Sequence, residues 1–164
     1  MARQYSMPYQ FPPVALIPPQ AGGSGFTPTV YNSLRNAQKA WIVAHINQGN
    51  AATILLSLLQ ATSSAGAGSK AVSNAVPIWL VDAATSADAL VAQTAATTFT
   101  TDANVADKII IFEITPEIAL DMANGFNHIA ISAGASNAAN LLSATLFVWG
   151  ATEGATPSFP TTIV

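Results

Sequence analysis

The sequence predicts an all-β protein, a sandwich or barrel of about eight strands, preceded by an extended proline-rich arm. Three observations carry this. Apolar residues alternate strictly in "KIIIFEI" and "LLSATLFVW". Short apolar runs recur at regular spacing, divided by small, turn-prone residues. Six prolines, Pro8, Pro12, Pro13, Pro18, Pro19 and Pro28, crowd the first 28 residues.

Residues 1–28 are read as the arm. Proline opposes both helix and regular sheet pairing, yet Tyr5, Tyr9, Phe11, Leu16, Ile17 and Phe26 are interleaved with the prolines. Disordered tails lack such residues. An extended segment lying on another surface explains both features and makes these six side chains the candidate interface; a floppy terminus is the alternative. "QAGGSG" then serves as a hinge. The body is expected over 29–150 and an extended tail over 151–164.

Within the body, "AWIVAHI" is a strand, and "NQGN" after it a hairpin turn. "ATILLSLLQA" sets Ile54, Leu56 and Leu58 on one face as a strand, with a helix as the competing reading. "SSAGAGS" is a flexible loop, and "VPIWLV" a strand that tolerates Pro77 near its start. "DAATSADALVAQTAA" fits either a short helix or a loop into a strand, and "ATTFTT" is β-prone. In "KIIIFEI", Ile110, Phe112 and Ile114 oppose Ile109, Ile111 and Glu113. "TPEIALDMANG" opens on a first-turn proline and stops at Gly125, as one or two helical turns or a tight loop. "HIAIS" and "LLSATLFVW" are the last strands. Phe126, entering the first of them, is expected to fill the core.

Composition narrows the function. The chain has 164 residues, 51% hydrophobic and only 8% charged, with net charge −3; soluble domains carry roughly 25% charged residues. Five basic residues, Arg3, Arg35, Lys39, Lys70 and Lys108, form no stripe able to neutralise phosphates, which argues against a nucleic-acid partner. So weakly charged a surface belongs in a membrane or under other protein. "AATILLSLLQA" falls short of the roughly 20 apolar residues of a membrane helix. Prolines stand where a signal peptide has its helical apolar run. Burial against neighbouring subunits is therefore expected, with no membrane partner. Without cysteine there are no disulfides, thiolate metal sites or cysteine nucleophiles.

No catalytic constellation stands out. Glu113, Glu117, Asp121 and His128 cluster in sequence but read as solvated positions of a strand, its connection and the next strand. His45 and Asp88 lack a nucleophile elbow. "GAGSK" lacks the second half of a phosphate-loop motif. Two distant histidines impose no metal site. Trp41, Trp79 and Trp149 sit in strand-like runs, where core or interface burial outweighs a sugar-stacking role. The expectation is no catalytic residue, no cofactor and no metal.

Two stretches carry a resemblance. They are "NAQKAWIVAHINQGNAATILLSLLQATSSAGAGSKAVSNAVPIW" and "DKIIIFEITPEIALDMANGFNHIAISAGASNAANLLSATLFV". With "IIIFEI", "LD", the Gly125–Phe126 pair and "GASNAAN" in succession, residues 31–149 resemble small structural proteins of tailed-bacteriophage heads. The resemblance implies a jelly-roll-like sandwich and a capsid cement, or decoration, role on the outside of a shell. It also implies the major capsid protein and further copies of the chain as partners, in a virion assembled in the host cytoplasm. The other reading is a carbohydrate- or receptor-binding β-sandwich module of a phage fibre. A small hydrolase is the third.

Overall fold

The computed structural model describes residues 11–86 and 89–151, so Tyr5, Tyr9 and the tail from residue 152 lie outside the described residues. Two antiparallel sheets face each other. The larger has the order β1-β11-β3-β9-β6-β7. Its strands are Pro13–Ala21 (β1), Asn140–Ala151 (β11), Ala37–Gln48 (β3), Asp107–Ile114 (β9), Val76–Val81 (β6) and Val91–Ala96 (β7). In the smaller sheet, Asn32–Ser33 (β2), His128–Ala133 (β10), Leu55–Ala61 (β4) and Lys70–Ala71 (β5) run in that order, and Thr98–Thr100 (β8) also pairs with β4. The all-β sandwich is thus what the fold is.

The core lies where the alternation puts it. Ile110, Phe112 and Ile114 of β9 are fully buried, as are Ile42 and Ile46 of β3, Leu56 and Leu58 of β4, and Ile129 and Ile131 of β10. Leu142, Ala144, Leu146 and Val148 of β11 complete the inner face of the larger sheet. One continuous cluster fills the space between the sheets.

The largest departure from expectation concerns the arm. From Pro13 onward it is a strand of the sandwich, paired with β11 from Pro13 opposite Phe147 to Ala21 opposite Leu141. An edge strand bonds on one side only, so Pro13, Pro18 and Pro19 face solvent without breaking the ladder. The pairing instead slips, between Ala15 and Ile17 and again between Ile17 and Gln20. Ile17, 1% exposed, is core and not free to clamp a partner, and half-buried Leu16 packs against the core. Phe26 bridges to Ala133 of the other sheet through two backbone hydrogen bonds of 2.8 and 2.9 Å. The "QAGGSG" segment is accordingly a tied turn: the Gly22 carbonyl accepts from the amides of Gly25 and Ser136. The body therefore includes residues 13–28, which the sequence assigns to the arm.

Two loops also differ. "NQGN" closes no hairpin, because β3 and β4 belong to different sheets. "SSAGAGS" is a hydrogen-bonded turn folded over Tyr31. Ser64 accepts from the Tyr31 amide, and the Tyr31 hydroxyl lies 2.6 Å from Ser69 Oγ. Gly66 has φ +79°, and a Cβ there would stand 2.7 Å from the Tyr31 ring.

Candidate functional site

The polar residues of Asp107–Ser132 are held apart by their elements. Glu113, on the outer face of β9, pairs with Lys39 of β3. Glu117 is exposed in the short helix α1 (Pro116–Ala119). Asp121, in the connection beyond it, accepts from Lys70 Nζ at 2.9 Å and Asn124 Nδ2 at 2.8 Å, and the lysine bond holds its carboxyl below the usual range. His128, half-buried, has its pKa lowered by desolvation, and its Nδ1 is buried without a hydrogen-bond partner. Among the described residues no three His, Asp or Glu converge on a possible metal position. His45 is exposed on the outer face of β3; Asp88 lies outside the described residues.

Lys70, the lysine of "GAGSK", opens β5 and is engaged by Asp121 and by the Phe126 ring, 4.0 Å from its ammonium. Phe126 is only half-buried and does not fill the core as expected. The left-handed Gly125 (φ +81°) turns the chain so that the ring lies over the Gly68 loop rather than between the sheets.

Three buried polar groups escaped sequence reasoning. Lys108 is 1% exposed at its side chain and is held by Asp82 and, at 2.8 Å, by Asp102. It shares the parity of Ile110, Phe112 and Ile114, and that was the available signal. Gln60, fully buried, donates to the Ala71 carbonyl and Ser73 Oγ and accepts the Asp121 amide at 2.8 Å, so it ties the α1 connection to the smaller sheet. Asn140 Oδ1 accepts the Asn50 amide at 2.7 Å, and its Nδ2 donates to the Ala52 carbonyl at 2.8 Å, which fixes the crossing from β3 to β4.

What the structure does bring together is the outer face of the larger sheet. Register places Thr145, Val43, Ile111 and Trp79 in one row across β11, β3, β9 and β6. Phe147 and Trp41 stand side by side in the next row, and the Phe11 ring packs edge-on against Trp41 at 5.9 Å between centroids. His45 and Ile109, with Val81 beyond, form the row on the other side. These apolar side chains are half-buried, and Trp149 at the border is 42% exposed. Phe11, expected to reach a partner, thus lies on its own sheet. At one end of this face a groove of about 390 Å³ is lined by Pro19, Gln20, His45, Asn47, Leu141 and Ser143. Gln20 Nε2 is buried there without a hydrogen-bond partner.

The fold is all-β, with two antiparallel sheets, and the larger carries apolar rows beside the Lys39–Glu113 pair on its outer side. No known protein family, curated protein or solved structure matches the chain. No helix among the described residues is long and apolar enough to cross a membrane.

Proposed function

We propose that the protein is a structural subunit of a bacteriophage head, a cement or decoration protein that binds the outer surface of the shell and stabilises it. The reading assigns it no catalytic step. Its partners are the major capsid protein and other copies of itself, and its place is the outside of the virion. One observation supports the proposal: a chain only 8% charged carries a half-buried apolar patch of Trp41, Val43, Ile111, Trp79 and Phe147 on the outer side of its larger sheet. Such a face gains free energy when another protein covers it, by about 25 cal/mol for each Å² of apolar surface removed from water. Many copies on one shell multiply a modest contact.

Co-sedimentation with purified shells tests this. The native chain should pellet with them, and Trp79→Lys or Ile111→Lys should abolish binding while leaving the fold intact by circular dichroism. Variants that decorate shells as well as the native chain would refute the assignment of this face.

The groove supports a second reading, a carbohydrate- or receptor-binding module. Gln20, His45, Asn47 and Ser143 offer polar groups beside Leu141, and Gln20 has an unused donor. Glycan-array binding that Gln20→Ala removes would favour it over shell binding.

A further inference from the structure

The two sheets have unequal edges. On the larger sheet, β1 carries three prolines and two register shifts, which deter pairing with another chain. In the smaller sheet β2 and β5 have two residues each and β8 three, too short to template a partner. The remaining edge, β7, is guarded by none of these means along its first half. It has six residues, its one partner among the described residues is β6, and its single irregularity falls opposite Pro77, leaving Val91–Gln93 straight. From Ala89 to Thr101 the chain has no proline and no charge. Leu90 and Val91, at the start of this edge, are each 51% exposed.

We infer that β7 pairs antiparallel with β7 of a second copy, about a two-fold axis through Ala92, joining two six-stranded sheets into one. A two-fold axis sets a strand against itself, so any charged residue at the axis would meet its own like. This strand has none, and its small side chains leave room for close approach. Ala92 lies on the outer face, opposite Trp79. Centring the axis there sets Ala92 against Ala92 of the second copy and Val91 against its Gln93, and each pair shares a face as antiparallel pairing requires. The row Thr145–Val43–Ile111–Trp79–Ala92 then runs on into the same row of the second copy. The two apolar faces become one surface. The pairing does not depend on the shell-binding reading, although it would double the face that reading uses.

The test is the solution mass of the free full-length protein by light scattering, in which shells play no part. The native chain is expected to be a dimer at high concentration. Ala92→Lys and Ala92→Glu each oppose like charges at the axis and should weaken self-association by about tenfold or more. Mixing the two variants should restore a heterodimer, which also shows that both are folded. Hydrogen exchange should show new protection of Val91–Gln93 on dimerisation. A native chain that stays monomeric, an Ala92→Lys variant that dimerises as well as the native chain, or a mixture that fails to associate would each overturn the inference. So would protection that falls on β1 and spares β7.

Discussion

Cutting the Lys108 cluster from its two sides should give very different losses. The lysine side chain is 1% exposed, whereas Asp82 is 32% and Asp102 54% exposed. Replacing both aspartates by alanine strands a buried ammonium, a situation that costs about 3–5 kcal/mol. Lys108→Met leaves two carboxylates that are 32% and 54% exposed and puts an apolar chain of similar length on the buried face of β9. Its effect should stay within about 1 kcal/mol of zero. pH adds a second signature. The lysine hydrogen bond holds the Asp102 carboxyl below its ordinary value. Burial pulls the Lys108 ammonium down, but its bonds to Asp102 and Asp82 outweigh this and leave it raised. The carboxylate contribution is therefore present above about pH 4 and lost as pH falls through the lowered value. The lysine contribution is present below about pH 10 and lost as pH rises through the raised value. Urea unfolding across pH, with unchanged dependence on denaturant, measures both effects. If Lys108→Met costs as much as the double aspartate variant, or leaves both pH flanks unchanged, the reasoning from exposure fails.

Phe112→Ala, at a fully buried ring, should cost about 3–5 kcal/mol, while Phe126→Ala, at a half-buried ring against Lys70, should cost about 1 kcal/mol; parallel thermal melts compare them. Gly66→Ala should cost about 2 kcal/mol, since it puts a methyl group against Tyr31 at positive φ, and Tyr fluorescence during unfolding should report the loosened loop. His128→Gln should remove an acid-side loss of stability. Desolvation lowers the folded imidazole below its ordinary 6.5, so the unfolded chain takes up the proton first and stability falls with pH below that value.

Strand alternation made most of the core legible. "KIIIFEI" and "LLSATLFVW" named both buried faces of β9 and β11, because a period of two leaves one choice once one side is apolar. β1 was hidden because proline was weighed by its missing donor, which matters little on an edge whose outer side faces water. Connectivity was illegible at "NQGN", where a turn signal says that the chain bends and not which sheet it enters next. Parity placed Trp41 and Trp79 on strands, but only the register that puts Ile111 beside Trp79 turns separate aromatic residues into a face. Phe126 misled because an apolar residue beside a strand was equated with the core, whereas the left-handed Gly125 aims it elsewhere.

The position of β11 between β1 and β3 has a consequence for synthesis. Among the described strands β1 is made first, yet the one it pairs with, β11, is made last. At about 5–20 residues per second, the stretch between Ala21 and Asn140 takes roughly 6–24 s to emerge. Through that interval β1 waits unpaired on the ribosome, and one whole side of the twelve-residue β3 stands open. Translation stalled before Asn140 would release a chain with that side of β3 unfilled, a ready template for pairing between nascent chains on one polysome. β3, β9, β6 and β7 can pair before then, but the larger sheet is completed only when β11 enters between β1 and β3.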